Sequence, residues 1–419
     1  MEKDKELHIC INSDCYIHYY LDKVQIRVGL YDFMGVNSFQ AKILESCQES
    51  PTVERLMKNI FDTYMVEDNE RNRELIRSFL NLLEKRGIIY YNTGGVQTKL
   101  KHYGEPQKAY PAWIILELTS KCNLECGFCY KSASTCGSNI SMKYVDMIID
   151  HFGGKSKNLV LTGGEALLHP QFGEILEKVA TCFDVSLLTN GLLLSKISEV
   201  LLDKLTHIQV SMYGYDNSSY EKNVGMKEGF DLLKKSYSNV PKNKKTTSVV
   251  TVVLGRHNVG FIEQYIKAAC ALGAPEIHFG LMLPIGRGAR AESSNEILDD
   301  SEIFFAAKKI DELSRAYRGS IYVSKLEMVR EAIPLNGSEF ACQAGKTNIV
   351  INQLGDVRAC NLLPESVFER YSLEAYLADV ESGRSKCYSG DIERFKEYLQ
   401  QNGHNVSDMK CVGFCELKG

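Results

Sequence analysis

Cys122, Cys126 and Cys129 fall inside one short stretch, ELTSKCNLECGFCY, residues 117–130. Three thiolates at this spacing can take three corners of an iron–sulfur cube wrapped by a single loop, because cysteine thiolate is the usual protein ligand of such clusters. A fourth iron would stay open. A structural zinc ion completes four protein ligands, and no fourth Cys or His stands nearby. The spacing therefore favours a cluster that binds a small molecule at its unique iron. Phe128, directly before the last thiol, would stand beside that molecule.

The remaining cysteines divide into two groups. The chain has 14 Cys in 419 residues, many for a reducing compartment in which disulfides are rare, so metal or redox chemistry is the better explanation. Cys10, Cys15, Cys47, Cys136, Cys182 and Cys270 stand in ordinary surroundings and read as core or incidental thiols. Cys342, Cys360, Cys387, Cys411 and Cys415 crowd the C-terminal part and imply a second site.

A net charge of -4 provides no strong field for nucleic acid or an anionic membrane. The basic run PKNKK, 241–245, reads as a solvated loop. No apolar run reaches about 18 residues, and the charged start lacks an apolar stretch behind it. A soluble cytoplasmic protein is expected.

Positioning the cysteines requires a scaffold, and the middle of the chain supplies one. Short apolar runs at 113–118, 158–164, 185–191, 207–214, 248–255 and 276–283 alternate with helical patterns such as SMKYVDMIIDHFGG. That alternation is the signature of βα units around a parallel sheet, so an α/β fold with a partial (β/α)6 TIM-like barrel is expected. Each candidate group follows or ends a strand: the cysteines after the first, Gly163, Gly164 and Glu165 after the second, Asn190 after the third, Ser211 at the end of the fourth. In a parallel barrel these ends share the face on which active sites form.

The flanks read differently. LHICIN, YIHYYL and VQIRVGL suggest a small antiparallel sheet, and the segments 38–47, 52–64 and 74–87 suggest three helices, together a winged-helix-like peptide-binding domain over 1–100. Residues 101–112 read as a linker, 113–325 as the barrel and 326–419 as a C-terminal iron–sulfur domain. There NIVINQLGDVRACN carries a hairpin signal.

The CNLECGFC motif, with its aromatic before the last Cys, and the GGE after the second strand resemble the signature of radical S-adenosylmethionine enzymes. The resemblance implies a [4Fe-4S] cluster whose unique iron chelates S-adenosylmethionine, and a 5′-deoxyadenosyl radical that abstracts hydrogen from substrate; the protein positions and shields that chemistry. It further implies that Gly163 and Gly164 let the backbone approach the methionine moiety, that Glu165 accepts from its ammonium, and that Ser211 lies near the ribose or carboxylate. Asn190 and Arg287 are further cofactor-binding candidates.

The C-terminal cysteines resemble a SPASM or twitch extension, with one auxiliary cluster held by Cys342, Cys360 and Cys415 and with Cys411 or Cys387 as fourth ligand. Asn361 stands where sulfatase-maturing relatives carry an aspartate base. With the N-terminal part resembling a RiPP recognition element, the chain is similar to maturases of ribosomally made peptides. That resemblance implies a precursor peptide as partner, its leader adding a strand to the N-terminal sheet, and a flavodoxin or ferredoxin as electron donor. The best-matching reaction is a cysteine sulfur-to-carbon thioether. Epimerisation, with Cys136 or Cys182 as hydrogen donor, and carbon–carbon cross-linking are alternatives, and a zinc-stabilised peptide-binding protein is the non-enzymatic one.

Overall fold

The computed structural model describes residues 7–28, 32–242, 246–290, 295–324, 326, 344–362, 364, 367–385, 394, 397, 398, 400 and 401. The chain forms two compact units, the first built on residues up to Ala112 together with Val380–Arg384 and the second on most of the chain from Trp113 onward.

In the first unit, β1 (His8–Ile11), β2 (Cys15–Leu21), β3 (Lys23–Val28) and β4 (Asp32–Val36) precede helices Ser38–Glu45, Val53–Tyr64 and Glu70–Lys85, after which come β5 (Ile89–Asn92) and β6 (Lys101–Pro106). The three helices form where the sequence places them because each has a capping side chain at its start. Asn37 and Gln40 make a reciprocal capping box, Thr52 accepts from Arg55 N–H, and Asn69 accepts from Asn72 N–H. Their apolar faces bury Leu44, Leu56, Ile60, Leu80 and Leu83 against Ile9, Ile17 and Ile26.

Two expectations need correction here. The run LHICIN does not join the sheet of its neighbours: β1 pairs antiparallel with β5, while the other sheet has the order β4-β3-β2-β6. The helix ending at Lys85 turns at Gly87 and returns the chain beside β1, where Ile9, Ile11 and Ile89 enter the same core. The segment expected as a linker contains a strand instead. β6 pairs in parallel with β2 from Tyr16↔Lys101 to Leu21↔Pro106. It lacks apolar alternation because the backbone ladder holds it, and its close approach needs Gly104: at φ 69°, a Cβ there would lie 2.0 Å from the Tyr19 carbonyl oxygen.

The second unit has the expected barrel layout. β7 (Trp113–Thr119), β8 (Asn158–Gly163), β9 (Asp184–Thr189), β10 (His207–Ser211), β11 (Thr247–Leu254) and β12 (Glu276–Leu281) are parallel neighbours in chain order. Helices such as Met142–Phe152 and Ile262–Leu272 bury one face and end at Gly153 and Gly273. β13 (Tyr322–Val323) extends the sheet beyond β12. At the other edge, β14 (Asn348–Ile351) lies parallel to β7 and turns through the predicted hairpin into β15 (Val357–Arg358). The docking of this hairpin onto the first barrel strand positions Arg358 and Cys360, and local patterning could not foretell it.

Candidate active site at the strand ends

The cysteine loop leaves the C-terminal end of β7. Cys122 and Cys126 are buried and Cys129 is half-buried. Burial pushes the Cys122 thiol up to about 11 and the Cys126 thiol up to about 12. Thiolates at these positions therefore need a cationic partner, which the irons of a cluster supply. Among the described residues no three His, Cys, Asp or Glu side chains gather tightly enough to hold a single metal ion. A cubane does not ask for that, since each thiolate binds its own iron. The donor set fits the cluster expected from the spacing.

The loop is held from several sides. Gly163, at φ 150°, and Gly164 press against its root: a Cβ on Gly163 would meet the Thr119 carbonyl oxygen at 2.4 Å, and one on Gly164 the Lys121 oxygen at 2.2 Å. Gly164 N–H donates to the Thr119 carbonyl at 2.7 Å and Glu165 N–H to that of Lys121 at 2.8 Å. The missing Cβ atoms of these two glycines make room for the protein's own backbone at the root of the loop.

Glu165 is buried, and its carboxylate accepts from Thr189 Oγ1 at 2.7 Å, Leu167 N at 3.1 Å and Asn190 N at 2.7 Å. Burial raises its carboxyl pKa and these three donors oppose the rise. A carboxylate offers about four lone-pair sites, so one remains for an ammonium. Asn190 is also committed: its Nδ2 donates to Asn123 Oδ1 at 2.8 Å, inside the cysteine loop, and its Oδ1 accepts from Leu192 N at 3.1 Å.

Arg287, a cofactor-binding candidate, clamps the loop, and its Nη2 is buried with no hydrogen-bond partner among the described residues. Its Nε donates to the Cys126 carbonyl at 2.7 Å, its Nη1 to that of Ala133 at 2.6 Å, and its backbone N–H to that of Cys129 at 2.9 Å. Gly286, at φ 58°, lets the two chains meet, since a Cβ there would lie 2.2 Å from the Tyr130 oxygen.

Beside the loop, Phe128 lies 5.9 Å from the Tyr213 ring and 6.2 Å from that of His257, nearly parallel to the latter. Ser211, at the end of β10, hydrogen-bonds the Tyr213 phenol, whose pKa burial raises well above its ordinary value. Its neighbour across the ladder, Thr251, has a buried hydroxyl with no partner among the described residues.

Sequence reasoning missed a buried ion network. Glu117 on β7 is fully buried, and its Oε2 is shared by Lys131 Nζ at 2.5 Å and Arg358 Nη2 at 2.6 Å. Lys131 lies two residues past Cys129 and Arg358 lies on β15, so one carboxylate ties the cysteine loop to the hairpin. The signal was visible as an acid inside the apolar run WIILELT. Tyr130 adds a second tie, accepting from Asn361 Nδ2 at 3.3 Å. Cys360 is half-buried and packs in a small cluster with Tyr130, Ile285 and Leu362, its sulfur accepting from Leu362 N–H at 3.4 Å. Cys342, Cys387, Cys411 and Cys415 lie outside the described residues.

The fold and loop geometry set three cysteines at the mouth of a barrel, and the comparisons match that layout. The Radical SAM superfamily model matches residues 116–269. Residues 116–269 are a radical SAM domain, an enzyme's domain rather than that of a non-catalytic, zinc-stabilised binding protein. It is similar to AlbA of Bacillus subtilis (strain 168), an antilisterial bacteriocin subtilosin biosynthesis protein, at 26% identity over 96% of this chain and 88% of that protein. A probable GTP 3′,8-cyclase of Saccharolobus islandicus is 26% identical over 61% of this chain and 84% of its own length. Among solved structures, Streptococcus suis SuiB bound to S-adenosylmethionine shares the fold with a TM-score of 0.60 at 13% identity, over 89% of this chain and 88% of that one. The anSMEcpe structure with bound AdoMet gives 0.54 at 16% identity, over 68% and 82%. The superfamily brings with it a [4Fe-4S] cluster and S-adenosylmethionine. No helix among the described residues is long and apolar enough to cross a membrane.

Proposed function

We propose that the chain is a maturase that forms a thioether between a cysteine sulfur and a carbon of a ribosomally made precursor peptide. The observation that carries this is the match to AlbA, a subtilosin biosynthesis protein, along 96% of the chain and so through both flanks as well as the barrel. The fold shared with SuiB, which has also been solved bound to its precursor peptide SuiA, supports a peptide substrate.

In this reading residues 1–100 form the recognition element, 113–325 the radical barrel and 326–419 the auxiliary-cluster domain, with Cys360 and the cysteines outside the described residues as ligands. The cluster with S-adenosylmethionine supplies the radical that removes a substrate hydrogen atom. The chain's own residues hold that cluster at the mouth: Arg287 and the Gly163-Gly164 turn fix the loop, and Glu165 keeps one lone-pair site for the cofactor's ammonium. An electron donor such as a flavodoxin or ferredoxin completes the system, in the cytoplasm.

The test is the mass of the peptide encoded beside this gene after anaerobic incubation with reconstituted enzyme, S-adenosylmethionine and reductant. Loss of two hydrogens per site, with the peptide thiols no longer alkylated, is the expected result. Free thiols on a modified peptide overturn it. Epimerisation is the second reading, and only Cys136 supports it. That residue is exposed on the loop that follows β7, whereas Cys182 precedes β9 and so lies at the opposite end of the strands from the site.

A further inference from the structure

His257 follows the end of β11 on the same face as the cysteine loop, and its ring lies nearly parallel to Phe128, the residue before Cys129. Its Nδ1 is 2.9 Å from Glu296 Oε2, and the same oxygen accepts the His257 backbone N–H at 2.7 Å. An ionised carboxylate only accepts, so Nδ1 donates to it, and in the neutral ring Nε2 is then an acceptor. Nothing in the protein fills it among the described residues.

The pair is braced. Arg256 N–H donates to the Glu296 carbonyl at 2.8 Å, and its guanidinium reaches the Asn295 carbonyl, Asp299 and Glu302. Gly255 leaves no space, since a Cβ there would meet His257 Nδ1 at 2.9 Å. The other titratable group near the ring is Tyr213, packed across Phe128, which burial keeps neutral. The neighbouring Arg256 is already paired. A histidine oriented by a carboxylate, with its second nitrogen bare at a barrel mouth, is the arrangement of a general base.

We propose that His257, oriented by Glu296, is the base that takes the proton from the substrate cysteine thiol. The inference rests on the thioether reading above. Nε2 accepts the S–H proton, leaving a thiolate and an imidazolium. The thiolate sulfur bonds to the carbon from which a hydrogen atom has been removed, and the one electron in excess passes to an oxidised iron–sulfur cluster. The imidazolium then returns its proton to solvent.

The test uses the full-length reconstituted enzyme and the synthetic cysteine-containing peptide encoded beside its gene. Thioether formation and 5′-deoxyadenosine release are followed separately across pH. His257→Gln is expected to slow thioether formation about 100-fold or more while 5′-deoxyadenosine is still released, and to remove the limb of the wild-type profile that rises with pH. Imidazole added to His257→Ala is expected to restore part of the rate. Glu296→Gln, a change at a positioning residue, is expected to cost less and to keep the rising limb. An unchanged rate and profile in His257→Gln overturn the inference. So does an equal loss of both products without imidazole rescue, which would mark a structural role. A wild-type enzyme that modifies the peptide and leaves its thiols free overturns the thioether reading before any variant is made, and this inference with it.

Discussion

The strand ends of β7 to β9 and those of β10 and β11 face the same barrel mouth, yet Glu165 and Asn190 on one side are tied to the protein while Thr251 and His257 on the other keep polar atoms unfilled. On the first side, Glu165 is met by three protein donors, Asn190 bridges to Asn123, and the two glycines are packed against backbone. On the second, Thr251 keeps a buried hydroxyl with no described partner, and His257 presents a bare ring nitrogen. A buried polar group left unpaired costs free energy, so a protein carries one where something else is to bind. The first side is a frame for the cysteine loop, and the second keeps polar atoms that the frame does not use.

The largest effects should come from breaking the frame at its charged centre. Glu117→Gln leaves Lys131 and Arg358 facing each other inside the barrel without a counter-charge, a change expected to cost about 3–5 kcal/mol. Arg358→Met leaves a neutral Glu117–Lys131 pair and should cost clearly less. Chemical denaturation of the two variants checks the order, and equal losses would mean that the carboxylate is not the shared link between loop and hairpin. Next comes Arg287→Ala. It removes two side-chain hydrogen bonds from a charged donor to the loop, each worth about 1.5–3 kcal/mol, and should lower the iron retained per chain after reconstitution. Arg287→Lys, which cannot span the carbonyls of Cys126 and Ala133 together, should recover only part of that iron.

This division also explains what could be read in advance. The six barrel strands were legible because each is a short apolar run and helical patterns lie between them, and the cysteines because ligand spacing is local. Burial of Glu117, Lys131 and Arg358 was not legible as a network. The three lie on β7, on the loop after it and on β15, and only the parallel docking of β14 onto β7 brings them together. Arg287 was placed at the mouth, but its hold on the loop was not legible, since spacing cannot tell a clamp on backbone carbonyls from a contact to a ligand. β6 was missed for a related reason: a strand held by its ladder and by one glycine contact needs no hydrophobic alternation.

Smaller effects separate the two sides more sharply. Thr251→Val replaces an unpaired buried hydroxyl with a methyl group of similar shape, so it should leave stability unchanged or raise it by about 1 kcal/mol. A melting temperature lowered as far as that of Arg287→Ala would show that this hydroxyl belongs to the frame after all, and the contrast between the two sides would fail.

The smallest expected effect is a pH dependence confined to the frame. His169 lies just past Glu165, with Nε2 against the Ile140 carbonyl at 3.1 Å and Nδ1 accepting from Gln171 N–H at 3.1 Å. Burial lowers its pKa below the ordinary histidine value, so the unfolded chain binds this proton before the folded one does. Stability from this group is therefore fully present above about pH 6.5 and declines as pH falls below it, by less than about 1.4 kcal/mol per pH unit. Protonation of Nδ1 would also displace the Gln171 amide. Hydrogen exchange at that amide should accelerate between pH 7 and 5 relative to amides of β11, after correction for the intrinsic rate, and His169→Gln should abolish the difference. Equal acceleration on both sides of the mouth would mean that acid loosens the barrel as a whole, and that the frame is no more pH-sensitive than the side it faces.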